Sequence, residues 1–213
     1  MKASFWHQKW ENNQIGFHES DVNPLLVKHI DQLNLAEGSR IFLPLCGKTL
    51  DMAWLLDKGY QIVGAELSEL AIQQLFAEFD IEPQISEVGK LKCYQAEGLD
   101  IFVGDIFDLS AEQLGKVDAI YDRAALVALP PETRKHYTQH LINLTESAPQ
   151  LLLCFEYDQS LMSGPPFSIV GEEVHAHYDQ SYDVQQLEST PMEGGFKGTI
   201  ATLDTVWLLN PTA

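Results

Sequence analysis

The chain has 213 residues, 45% hydrophobic and 21% charged, the balance of one soluble globular domain with a substantial core. Thirteen basic against thirty-one acidic side chains give a net charge of −18, spread along the chain, which disfavours nucleic acid and anionic membrane surfaces as partners. No run approaches 18 apolar residues, and MKASFWHQKW lacks the apolar stretch of a secretory signal, so neither a membrane span nor export is expected.

Near the start, Trp6 and Trp10 stand at i, i+4, one face of a predicted N-terminal helix. That face reads either as a hydrophobic anchor or as an aromatic wall beside a cation. From residue 41 strands and helices alternate. Ile41–Leu45 reads as a buried strand, followed by a helix capped by Thr49 and ended before Gly59. Gln61–Ala65 is a second strand, and Ser68 caps a helix whose Ile72, Leu75, Phe76 and Phe79 form one apolar face.

Leu91–Tyr94 and Leu99–Val103 flank Glu97-Gly98 as a hairpin. Asp118–Tyr121 is a further strand, before Pro130-Pro131 and a helix bearing Tyr137, Leu141 and Leu144. Leu151–Phe155 follows, then the loop SGPPFS and a short helix near Glu172–His177. Tyr182–Leu187 and Ile200–Leu209 close the chain as a terminal antiparallel pair. The alternation predicts a parallel sheet with helices on both faces.

The stretch PLCGKTLDM (44–52) looks like the end of a phosphate-binding P-loop. That motif needs a glycine five residues before Gly47, and position 42 is Phe42. Pro44 removes a further N–H donor. The dinucleotide fingerprint fails too, since Gly47 is the only glycine between Gly38 and Gly59.

Ligands of open parallel sheets bind at the carboxyl ends of the strands. Those ends here carry PLCG, Glu66, Asp105, and Asp122 with Arg123. Glu66 follows Gly47 by 66 − 47 = 19 residues, near the usual distance for an acid that grips ribose hydroxyls. Its blander alternative is a surface glutamate favoured by a helix dipole. Asp105 is spaced to reach an adenine or its ribose. An acid for ribose without a phosphate cradle describes S-adenosylmethionine better than NAD or ATP.

FWHQKW…NQIGFH (5–18), VNP (22–24), PLCGKTLDMAWL (44–55), VGAELSELAIQQLF (63–76), FVGDIFDL (102–109), DAIYDRAALVALP (118–130) and GPPFS (164–168) run in one order. In these blocks the chain resembles the thiopurine S-methyltransferase family of class I S-adenosylmethionine-dependent methyltransferases, in its bacterial form. The resemblance implies that Trp10, Leu45, Glu66 and Arg123 line the cofactor site and that Ile106, after Asp105, packs near the adenine. It places Phe17 and the GPPF loop, with Phe167, toward the substrate. Arg123 is then the candidate catalytic residue, favouring a substrate anion or orienting the cofactor carboxylate, unless neighbouring acids hold it in a structural pair.

The expected fold is a Rossmann-like α/β domain spanning 1–213, with a helical lid over 1–35 and an α/β core over 40–213. Its sheet is expected to be seven-stranded and mostly parallel, with a terminal antiparallel hairpin. The expected activity is S-methylation of aromatic or heterocyclic thiols, thiopurines included, by a cytoplasmic monomer acting in detoxification. Methylation of inorganic selenium or tellurium species, or a non-catalytic nucleoside-binding module, are the alternatives.

Cys46, Cys93 and Cys154, odd in number and beside apolar runs, read as buried thiols in a reducing compartment rather than nucleophiles. No metal site is expected. His136 and His140 have chelating spacing but no evident third ligand, and His175 and His177 read as surface residues.

Overall fold

A computed structural model describes residues 3–212. In chain order its elements are α1 (Ala3–Glu11), α2 (Pro24–His29), β1 (Arg40–Pro44), α3 (Asp51–Asp57), β2 (Gln61–Glu66), α4 (Glu69–Glu78), β3 (Gln84–Val88), β4 (Leu91–Ala96) and β5 (Leu99–Val103). There follow α5 (Ala111–Leu114), β6 (Ala119–Arg123), α6 (Pro131–Leu144), β7 (Gln150–Tyr157), α7 (Gly171–Tyr178), β8 (Tyr182–Pro191) and β9 (Thr202–Pro211). The chain divides into two compact units between Ala119 and Ile120.

The first unit orders its strands β3-β4-β5-β2-β1. β1 pairs with β2, and β2 with β5, in parallel, whereas β3, β4 and β5 pair antiparallel. Ile41, Phe42 and Leu43 are all buried, because a strand covered on both faces needs an unbroken apolar run rather than an alternation. Gly64 on β2 is required by contact: a Cβ there would lie 2.7 Å from the Ile101 side chain and 2.8 Å from the Cys46 sulfur.

Ser68 caps α4 by accepting the Ala71 N–H, and Ile72, Leu75 and Phe76 bury one face of that helix. Each is worth about 1.5–3 kcal/mol of transfer free energy. Phe79 falls at the C-cap and is only half-buried.

The second unit orders its strands β6-β7-β9-β8, with β6 and β7 parallel and the other two pairings antiparallel. Pro131 opens α6, where a missing N–H costs nothing. Tyr137, Thr138, Leu141, Ile142 and Leu144 form the buried side of that helix. The late hairpin is antiparallel as expected and carries a bulge between Gln186 and Glu188.

The expected seven-stranded, mostly parallel sheet is corrected by these pairings. Nine strands are present among the described residues, and the pairings within the two units are three parallel and four antiparallel. The extra strand of the first unit is β3, whose side chains are exposed except at its half-buried end. Ile85, at 57% exposure, gives it no hydrophobic period to read.

Within the expected lid, α1 leads into α2, a helix capped by Asn23 whose side chain accepts from Leu25 and Leu26. The Asn23 N–H donates to buried Asp51, and Leu26, Ile30 and Leu33 are buried, so residues 23–33 belong to the core of the first unit.

Candidate functional site

In the first unit, β1 ends in a tight turn at Leu45-Cys46-Gly47. Leu45 and Gly47 both take the left-handed conformation, at φ 47° and 54°. For Leu45 this is a strained choice, since only glycine enters that region freely. The Cys46 N–H donates to the Ala65 carbonyl (3.0 Å), tying the turn to β2.

Glu66, the last residue of β2, holds the same turn with its side chain. Its Oε2 accepts the Gly47 N–H at 2.8 Å and its Oε1 the Ser68 N–H at 2.7 Å. The carboxyl is 6% exposed, and burial raises its pKa against the lowering pull of the Ser68, Gly47 and Leu67 N–H groups. A carboxylate offers about four acceptor positions, so capacity for a ligand hydroxyl remains beyond these bonds. The alternative of a surface glutamate is overturned by this burial.

Trp10 is buried at 4% exposure, and its indole covers Gly47: a Cβ built there would meet the Trp10 ring at 3.3 Å. Phe17 packs edge-on against Trp10 (5.5 Å between centroids) and against half-buried Trp6 (5.9 Å). On the other flank the Glu66 carbonyl accepts the Gly104 N–H at 2.8 Å, next to Asp105 and Ile106. Ile106 is buried. Asp105 is exposed and caps a short 3-10 turn by accepting the Phe107 N–H at 3.1 Å. The first unit therefore brings Trp10, Phe17, Gly47, Glu66 and the 104–106 turn into one neighbourhood.

Arg123 and Phe167 belong to the second unit. Arg123 ends β6, half-buried, and Ala124 turns the chain through a left-handed φ of 62°. Asp122, fully buried, accepts the Leu126 N–H on Oδ1 (3.2 Å) and the Tyr137 hydroxyl on Oδ2 (2.7 Å). Burial pushes its pKa up to about 6, although Tyr137 and the Leu126 and Ala125 N–H groups favour the charged form.

Phe167 is half-buried, donates its N–H to Val127 (2.6 Å) and lays its ring 5.6 Å from the guanidinium of Arg134. Gly164 passes beneath it, at φ 72° and with room for no Cβ, which would lie 2.6 Å from the ring. Arg134 is itself buried against Glu173, with which it makes paired bonds of 2.6 and 3.2 Å.

Sequence reasoning did not find Ser68 or Tyr137 as partners of the two buried acids. Both are local or helical features whose role appears only when the strands are in place. His175 is exposed as expected and contacts Asp179 at 2.8 Å. His177 is corrected: it is half-buried, with ring nitrogens 3.3 Å from Glu173 and 3.4 Å from Thr138. Cys46, Cys93 and Cys154 are free and buried, with thiol pKa values raised first of all by burial, that of Cys93 to about 11.

No helix among the described residues is long and apolar enough to cross a membrane. In overall fold the chain is similar to the 1,6-didemethyltoxoflavin-N1-methyltransferase of Burkholderia thailandensis, with a TM-score of 0.67 at 13% identity over 98% of this chain and 87% of that one. A TehB-like SAM-dependent methyltransferase from Corynebacterium glutamicum matches 99% of the chain and 98% of its own, with a TM-score of 0.57 at 12% identity. The architecture is thus that of S-adenosylmethionine-dependent methyltransferases.

Sequence relatives are nearer. The thiopurine S-methyltransferase of Teredinibacter turnerae is 53% identical over 99% of this chain and 98% of its own. That of Xanthobacter autotrophicus is 51% identical over 98% and 99%. The model of the thiopurine S-methyltransferase family matches residues 1–200, and the chain belongs to that family.

Proposed function

We propose that this protein transfers a methyl group from S-adenosylmethionine to the sulfur of aromatic or heterocyclic thiols, thiopurines included. The observation that carries the reading is Glu66, a buried carboxylate locked at a strand end by the Gly47 and Ser68 N–H groups with acceptor capacity left for a ligand hydroxyl. That acceptor fits the hydroxyl donors of a ribose diol, and the turn it holds has neither the glycine nor the N–H run that a diphosphate requires. Family membership and the thiopurine S-methyltransferase names of relatives near 50% identity support the same acceptor class.

When bound, S-adenosylmethionine supplies a methyl group on a positively charged sulfur, open to in-line displacement by a thiolate. In this reading Glu66 accepts the ribose hydroxyls, Ile106 and Leu45 give apolar contact, and Asp105 stands at the nucleoside side. The Trp10 face suits a neighbouring cation. Arg123 favours the acceptor as an anion or orients the cofactor carboxylate through its planar cationic guanidinium. Phe17 and Phe167 line the acceptor side and exclude water. Heteroaromatic thiols ionise more readily than alkyl thiols, so alignment rather than a strong general base is the protein's task.

The two units are read as parts of one methyltransferase domain, since the family model runs across both. A cytoplasmic, monomeric enzyme of detoxification is the accompanying reading; three free, buried thiols support its reducing compartment. The test is conversion of S-adenosylmethionine to S-adenosylhomocysteine with 6-mercaptopurine, run beside selenite and tellurite. Turnover on the purine thiol is expected. Turnover on the inorganic species alone would replace the acceptor class, and tight cofactor binding without turnover on any acceptor would sink the reading.

A further inference from the structure

The end of β6 poses a question that the proposed chemistry leaves open. Successive residues of a strand project to opposite faces, so Asp122 and Arg123 leave β6 on different sides. Asp122 goes into the interior at 0% exposure, an expensive place for a carboxylate. Ala124, one residue beyond Arg123, holds a left-handed φ of 62°, which costs an alanine roughly 1 kcal/mol or more. Such strain persists only where the surroundings over-determine it, and two bonds do so here. Asp122 Oδ1 accepts the Leu126 N–H and closes the turn across Arg123, Ala124 and Ala125, while Oδ2 accepts the Tyr137 hydroxyl from α6. Tyr137 is fully buried on the longest helix of the unit, so the carboxylate is referenced to a rigid element rather than to a loop.

We propose that Asp122 is a positioning residue for Arg123: it clamps the strained 123–125 turn through Leu126, and the Tyr137 hydroxyl fixes the clamp. The proposal rests on the reading of Arg123 as a site residue. Arg123 has to meet its target with a defined direction, and a guanidinium does so only if its Cα is fixed. Displacements of about 1 Å at such a group are enough to lower rates up to a hundredfold.

The experiment is a double-mutant cycle on kcat/KM for S-adenosylmethionine and 6-mercaptopurine, using Asp122→Asn, Tyr137→Phe and Arg123→Ala, alone and with Arg123→Ala as background. Asp122→Asn keeps the shape and an acceptor for Leu126 but loses the charge. It should lower kcat/KM by about tenfold in the native background and by less than about twofold once Arg123 is gone. Its effect on thermal stability should be the same in both backgrounds.

Tyr137→Phe should act in the same direction by about threefold, and it carries the cycle if Asp122→Asn fails to fold. An equal loss in both backgrounds would overturn the proposal by showing that Asp122 acts independently of Arg123. So would an inert Asp122→Asn beside a damaging Arg123→Ala, a result that leaves the Arg123 reading intact. If Arg123→Ala itself changes neither kinetic constant, that reading fails and the proposal falls with it.

Discussion

Glu66 in the first unit and Asp122 in the second solve the same problem with different materials. Each is a buried carboxylate at the end of a strand, and each accepts the N–H that closes a turn containing a left-handed non-glycine residue, Leu45 or Ala124. Glu66 is held entirely by main chain, through Gly47 on the neighbouring strand's turn and Ser68 on its own. Asp122 divides its bonds between main chain and one phenol 15 residues away. Main-chain anchors survive every substitution but proline, whereas a phenol is one mutation from absence. The first turn is therefore built for permanence, and the second depends on the identity of a single helical residue.

The largest test of that contrast is Glu66→Ala. It leaves two buried N–H groups without an acceptor, at about 1–3 kcal/mol each, so a loss near 4 kcal/mol is expected by denaturant titration. Cofactor affinity should fall about a hundredfold by calorimetry, the worth of one strong charged hydrogen bond. A stable Glu66→Ala protein with unchanged affinity would remove Glu66 from the site.

The pH dependence of stability tests Asp122 more finely. Its folded pKa of about 6 lies above its ordinary 3.8, so the folded state holds the proton more tightly than the unfolded one. Its contribution is fully present below about pH 4 and is lost as pH rises through about 6, up to about 3 kcal/mol in all. Asp122→Asn should flatten the stability profile between pH 4 and 7. A profile as steep as the native one would show that Asp122 is not the group responsible.

Removing residues 1–20 strips Trp10 and Phe17 from the Gly47 turn, and cofactor affinity should drop about tenfold, more than folding suffers. Equal affinity before and after would count against an aromatic cover. The smallest effect is expected from Gly47→Ala. A left-handed alanine whose Cβ stands 3.3 Å from Trp10 should cost about 1 kcal/mol and a several-fold loss of affinity. An affinity loss absent in the 1–20 deletion background would trace that cost to the indole.

The parts of this architecture that announce themselves in sequence are those with a local cause. β1 is legible as an apolar run, α4 from Ser68 and the spacing of Ile72, Leu75 and Phe76, and the terminal hairpin from two late β-rich runs. β3 is not, because all but the last of its side chains face solvent and no period survives. Helix α2 is only six residues long and too short to show a period, although Asn23-Pro24 is a start signal that its bonds to Leu25 and Leu26 explain.

Glu66 could be singled out by its distance from Gly47, but not the fact that its oxygens face Gly47 and Ser68 N–H groups. The partnership of Asp122 with Tyr137 needs the packing of α6 on β6, which no local pattern encodes. Trp10 could be paired with Trp6 by helical spacing, yet only Trp10 is buried over the turn.

The buried cysteines carry one last consequence. An enzyme that methylates sulfur must spare its own, and Cys46 adjoins the very glycine that Glu66 holds. Burial and the neighbouring Glu66 charge raise its thiol well above the usual range, and burial does the same for Cys154. The thiolate is the reactive form, and these side chains are denied it. The same burial that hides these sulfurs also keeps them protonated, so access and charge act together to set the protein's own thiols apart from an acceptor thiolate.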